Sequence, residues 1–339
     1  MGRLLFGMLT LPILWAGCSF PETQGEGDAP AVDTLALLNA QILGSPLKAD
    51  GYADRAEFHL RHGEIGAALE DLELVVQADS TRIEERHTLG QLRFDVRDFE
   101  GAVREWEGVL KVNGNHTPSL LSLAQVDVLL RAYEPALKRI NAALQVDNRL
   151  DDAYFLKGRL YLETGDTSKA ASSFQTASEV NPDRYDAFIQ LGLLHAAAHD
   201  DLALEYFRTA RSLRPQSIEA LYDEAIFLQE HAKTDTARYT LALNLYDRIL
   251  ELDNANASAA FNKGYIYLEY LADYGQAELW FNEAISRLPQ YHQAHYNLGL
   301  AIESQGRNRE ALEAYDAALV IEPAYTPAAV AKGRILSGT

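Results

Sequence analysis

The chain of 339 residues has a single cysteine, Cys18. An internal disulfide and a thiolate metal cluster are thereby excluded. Positive charge is also short. Thirty Lys and Arg stand against 49 Asp and Glu, a formal charge of -19. Such a surface repels phosphate backbones, so nucleic acid is not an expected partner. It equally disfavours loose adsorption to anionic membranes. A Gly-rich phosphate loop and a nucleophile elbow are both missing. The acidic runs DNRLDD (147–152) and DNANAS (253–258) lack the spacing and closing Glu of a calcium loop. Hydrophobic residues, at 47%, are by contrast ample for extensive burial.

The place of the one cysteine gives it meaning. Arg3 precedes the apolar run Leu4–Trp15, which has signal-peptide length and is short for a membrane span. Ala16-Gly17-Cys18 then sets two small residues before a thiol. This resembles the lipobox of bacterial lipoproteins, with Trp15 where Leu is usual and Leu14 one position back. The resemblance implies a signal peptide over 1–17, lipidation of Cys18, and, since Ser19 and not Asp follows, passage to the outer membrane. The alternative is an ordinary signal peptide whose cysteine is incidental and a soluble periplasmic product. Residues 18–32, with Pro, Gly and acid and no hydrophobic period, read as a flexible tether. Residues 33–48 begin with an apolar helical pattern suited to capping an array.

From residue 49 the chain repeats itself. One position is always small: Ala56, Gly90, Ala124, Gly158 and Gly192, each 34 residues from the last, then Ala225, Gly264 and Gly299. A second small position follows at Ala68, Ala102, Ala136, Ala170 and Ala311, and large knobs recur at Leu72, Trp106, Ile140, Phe174, Phe207, Tyr246, Phe281 and Tyr315. Two antiparallel helices approach closely only where side chains shrink and the partner's large residues fill the gaps. Turn formers close each unit, among them Pro182, Pro215, Pro289 and Pro323.

A 34-residue helix–turn–helix unit with this order of small, large and proline residues resembles the tetratricopeptide repeat. The resemblance implies an all-α, right-handed α-solenoid. We phase eight repeats over 49–82, 83–116, 117–150, 151–184, 185–217, 218–256, 257–291 and 292–325, with a final capping helix over 326–339. Repeat six carries five extra residues within Glu230–Tyr239, so either its internal turn is longer or one helix is extended. A surface turn tolerates such an insertion cheaply, and a protruding partner contact is the functional alternative.

In tetratricopeptide arrays the fifth, sixth and ninth positions of each first helix face a bound peptide. Here the fifth positions are Ala53, His87, Leu121, Phe155, Ile189, Tyr222, Phe261 and Tyr296. The ninth are Glu57, Gln91, Gln125, Arg159, Leu193, Ile226, Tyr265 and Leu300. The face therefore changes from mixed polar to apolar and aromatic, a composition that marks interaction sites. Asn262 and Asn297, at sixth positions, resemble two rungs of an asparagine ladder that holds peptide backbone. The basic clamp of chaperone-binding members is absent, since its positions hold Ala, His, Leu or acids.

Catalysis is not expected, nor is any metal or small-molecule cofactor. His195 and His199 stand four apart, as two helical metal ligands would. However, His195 falls where the repeat wants a large core residue, so a packed or half-exposed histidine is the preferred reading. The resulting expectation is a non-catalytic scaffold or adaptor of the bacterial cell envelope, joined to the membrane through its lipid and binding a protein or extended peptide. The alternative is an enzyme or accessory subunit handling envelope polysaccharide or peptidoglycan.

Overall fold

The computed structural model describes residues 33–232 and 235–338. Cys18, the leader and the tether lie outside the described residues. Among those described the chain is all-α, with eighteen helices and no strand. It divides into two compact units, one running to Glu85 and the other Arg86–Thr339.

The first unit holds α1 (Thr34–Gly44), α2 (Ala49–Arg61), α3 (Ile65–Ala78) and the start of α4 (Ile83–Asp95). Asp33 caps α1 by accepting the Ala36 N–H at 3.0 Å. Helix α1 settles on α2 where the glycine at 51 leaves room, since a Cβ there would stand 3.1 Å from Ile42 Cγ1. Asp71 of α3 is buried and takes two bonds from the Arg55 guanidinium, at 2.6 and 2.8 Å.

The second unit continues with α5 (Phe99–Val112), α6 (Thr117–Leu129), α7 (Tyr133–Val146), α8 (Asp151–Glu163) and α9 (Thr167–Val180). Then come α10 (Tyr185–Ala197), α11 (Leu202–Leu213), α12 (Ile218–His231), α13 (Thr236–Leu252) and α14 (Ala257–Glu269). The unit ends with α15 (Tyr274–Arg287), α16 (His292–Ser304), α17 (Asn308–Ile321) and α18 (Thr326–Ser337). From α6 to α17 each even-numbered helix pairs with the next, and each pair packs on the first helix of the pair after it. Many helices start on a side-chain cap. Asp98, Asp166, Asn256 and Asp273 each accept the N–H three residues on, at 2.9–3.1 Å. Such a cap contributes about 1 kcal/mol.

The close approach within pairs obeys a rule that links two distant positions. Where the knob is the ring of Trp106, Phe174, Phe207, Phe281 or Tyr315, the small residue twelve or more positions earlier is glycine. A Cβ at Gly90, Gly158, Gly192, Gly264 or Gly299 would stand 2.4–2.8 Å from the facing ring. Where the knob is Leu72 or Ile140 the small residue is Ala56 or Ala124, because an aliphatic knob leaves space for one methyl. Repeat six departs from the rule by setting Ala225 with Tyr246.

The turn inside each pair has its own signature. Gly63, Gly165 and Gly306 have φ of 72–78°, and Arg97, Arg131, His199 and Ala272 have φ of 50–68°. Positions 63, 97, 131, 165 and 199 are spaced by 34 residues. The chain must enter the left-handed region there to reverse direction, at a cost of about 1 kcal/mol for a side chain with a Cβ.

Much of the length added in repeat six is helix. Helix α13 has 17 residues where α9, α15 and α17 have 14. Tyr239 is 4% exposed and stacks on Tyr270 with centroids 4.5 Å apart, and Arg238 pairs with Asp201 at 2.8 Å.

Candidate partner-binding face

The fifth, sixth and ninth residues of the first helices were singled out as one face, and the structure sorts them. Tyr222 on α12, Phe261 and Tyr265 on α14, and Tyr296 on α16 are all partly buried. Tyr222 meets Tyr246 edge-on at 6.0 Å, and the other three fall in two aromatic groups. Phe261 lies 6.3 Å from Tyr265, 5.0 Å from Tyr291 and 5.6 Å from Phe281, and Tyr265 meets Tyr270 edge-on at 6.0 Å. Tyr296 lies 5.9 Å from Tyr315 and 5.5 Å from Tyr325. Leu193 is 43% exposed, while Ile226 and Leu300 are partly buried beside the core.

Four of the expected residues are engaged inside the fold. Ile189 is 2% exposed and packs with Phe207 and Leu221, so it serves the core and offers nothing to a partner. Phe155 is partly buried and already has a cation on it: the Arg184 guanidinium sits 4.4 Å from its ring centroid, held there by Asp151 and Asp152 at 2.6 Å each. The asparagine pair is spent internally. Asn262 is 8% exposed and its Nδ2 donates to the Tyr222 hydroxyl at 2.8 Å, while Asn297 Nδ2 donates to the Gln293 carbonyl at 2.8 Å. Each therefore has an amide N–H engaged within the fold and little surface left to offer.

The structure adds residues that the register of first helices did not show. Tyr291 and Tyr325 stand just before α16 and α18 and complete the aromatic groups. Their signal was present, since each follows a turn proline by two residues and they are 34 apart. Asp223, beside Tyr222, is the other addition. It is partly buried, and burial together with the neighbouring charge of Glu219 pushes its carboxyl up to about 7. Burial also raises Tyr222 and Tyr265, and lifts Tyr291 to about 12. Glu230 lies near Tyr222, Tyr265 and Tyr270, and Glu269 near Tyr265 and Tyr296, each adding to those shifts. The tyrosines stay neutral hydroxyls at physiological pH, able to donate as well as accept.

Histidines settle in local bonds. His195 is partly buried with Nδ1 2.8 Å from Asp200 Oδ2. His199 turns away from it and meets His231 of α12 at 2.8 Å. Among the described residues no three His, Cys, Asp or Glu gather as a metal cluster would require. No helix there is long and apolar enough to cross a membrane.

With this geometry in view, the chain can be set beside known proteins. Residues 155–218, 231–292 and 268–328 match the tetratricopeptide repeat family model, and these segments are tetratricopeptide repeats. Anaphase-promoting complex subunit 3 of Schizosaccharomyces pombe is 28% identical over 205 residues, 60% of this chain and 30% of that protein. Protein O-mannosyl-transferase TMTC3 of Homo sapiens is 25% identical over 235 residues, 67% of this chain and 25% of that protein. The chain thus spans less than a third of either relative. A solved tetratricopeptide repeat protein from Parabacteroides merdae superposes with a TM-score of 0.50 at 18% identity, covering 75% of this chain and 98% of that one. That likeness concerns the fold. Repeats of this family serve protein–protein interaction.

Proposed function

We propose that the protein is a non-catalytic scaffold or adaptor that holds a protein or extended peptide against the first helices of repeats five to eight. The supporting observation is the run of partly buried rings at Tyr222, Phe261, Tyr265 and Tyr296, on successive first helices, with Leu193 and Leu300 flanking them. Apolar surface of this kind gains about 25 cal/mol for each Å² a partner covers. Aromatic residues dominate such interfaces because they carry large area with few rotors. Replacing Phe261 and Tyr265 together by Ala abolishes partner capture on this reading while far-ultraviolet circular dichroism keeps its helical signal. Capture at wild-type strength by that variant contradicts it.

The same proposal sets the protein in the bacterial cell envelope, anchored by lipid at Cys18 and carried to the outer membrane. It rests on the run Leu4–Trp15 followed by Ala16-Gly17-Cys18. Metabolic labelling with palmitate tests it separately. The wild-type chain should take label and Cys18→Ala should not, and label retained by the variant rules out lipidation at that thiol.

A further inference from the structure

The first helices of repeats five to eight share a charge pattern. Helices α10, α12 and α16 contain no Lys or Arg, and α14 contains one, Lys263. That one is 3% exposed, turned toward Asp247 of α13, with its ammonium 3.5 Å from the Trp280 ring centroid on α15. The acids on these helices fall into two sets. Asp186, Glu224 and Glu303 pair with Arg214, with Arg208 and Arg211, and with Arg334. Glu219, Asp223, Glu230 and Glu269 form no ion pair among the described residues.

Asp223 is the most constrained of the unpaired four. It is partly buried, stands beside Tyr222 and one helical turn from Glu219, and has no hydrogen-bond donor on its carboxylate among the described residues. Glu219 takes the Tyr185 hydroxyl at 2.9 Å, a neutral donor that leaves its charge in place. A half-buried carboxylate without a counter-charge is held at a cost, which a cation brought from outside would remove. Aromatic rings line the same stretch, and their faces attract cations as well.

Resting on the binding face proposed above, we infer that Asp223, with Glu219 and the Tyr222 ring, forms a subsite for a basic side chain of the bound segment, a lysine ammonium or an arginine guanidinium flanked by apolar residues. The chemistry on this face is the reverse of a basic clamp that grips a carboxylate. Phe261, Tyr265 and Tyr296 receive the apolar neighbours, and Glu230 and Glu269 extend the negative potential along the track. Such a face selects basic-apolar segments and turns away acidic ones through like-charge repulsion.

The experiment displays a library of short random peptides to the immobilised full chain and sequences what is retained. Three proteins are compared: wild type, Asp223→Asn and Phe261→Ala/Tyr265→Ala. Circular dichroism confirms that each is folded. Wild type should enrich Lys and Arg several-fold over the input at a fixed place between apolar residues. Asp223→Asn should lose that enrichment, keep the apolar preference, and bind a recovered Lys-bearing peptide about tenfold more weakly. Retention without a basic excess, or an excess unchanged in Asp223→Asn, overturns the subsite while leaving the aromatic face standing. Retention unchanged by Phe261→Ala/Tyr265→Ala overturns the face itself, and no enrichment by wild type overturns both.

Discussion

Repeats two to four and repeats five to eight follow one packing rule and differ in how they handle charge. In the earlier stretch carboxylates are closed by arginine: Glu105 is held by Arg86 at 3.0 Å and Arg93 at 3.1 Å, Asp127 by Arg139, and Asp151 by Arg184 at 2.6 Å. One of those arginines also sits over the aromatic ring at 155. In the later stretch Asp223, Glu230 and Glu269 have no ion pair among the described residues, and tyrosines replace the arginines beside them. The same helical pair thus closes some carboxylates with arginine and leaves others, such as Asp223, without an ion pair among the described residues. Stability accounts for the first. The second makes sense when something else supplies the missing charge.

The largest effects should be alike in both stretches, because each ring packs on a glycine in the same way. Phe174→Ala in repeat four and Phe207→Ala in repeat five each remove a ring that is at most 1% exposed. Each should cost about 3–5 kcal/mol in urea unfolding. A much smaller cost for one of them would mean that the two stretches differ in packing as well as in charge.

The charge substitutions should then have opposite signs. Glu105→Gln leaves two guanidinium groups with one carboxylate fewer and should destabilise by about 1–3 kcal/mol. Asp223→Asn should stabilise. The folded carboxyl titrates near 7, raised from 3.8. Between those values the unfolded chain is ionised while the folded one keeps its proton, so stability falls as pH rises through that window. Above it the penalty is complete. Replacement by Asn should therefore add about 1–2 kcal/mol near pH 8 and nothing near pH 4, a contrast that thermal melts at the two pH values would display. Destabilisation near pH 8 would show that the carboxylate has a counter-charge after all.

The smallest effect concerns the reversing turns. Arg97→Gly and Arg131→Gly, at φ of 68° and 58°, should each stabilise repeats two and three by about 0.5–1 kcal/mol. The positions at 165 and 306 already hold glycine. Loss of stability at either arginine would point to a side-chain contact that outweighs the backbone strain.

These elements also show what could be read before the fold was known. The pairing of small residues with knobs was legible because packing forces it into every copy: Gly192 must stay small to admit the Phe207 ring. The reversing turn was harder to see, since glycine, arginine and histidine alternate at that place and only the backbone angle unites them. The face was legible as a register and not as a set of contacts. Ile189 and Tyr222 occupy equivalent positions, yet one is swallowed by the core and the other remains partly open. Their neighbours from other helices decide that, and spacing along one helix carries no such information. Asn262 and Asn297 misled for the same reason. An amide at the right position is available to a peptide only when no tyrosine or carbonyl already holds it.

Site-specific photo-crosslinking tests the contrast between the two stretches most directly. A benzoylphenylalanine placed in turn at Gln91 and Gln125, and at Leu193 and Leu300, samples equivalent ninth positions of repeats two, three, five and eight. After irradiation in cells, the account predicts higher-mass adducts from positions 193 and 300 and none from 91 and 125. Adducts confined to positions 91 and 125 would contradict it.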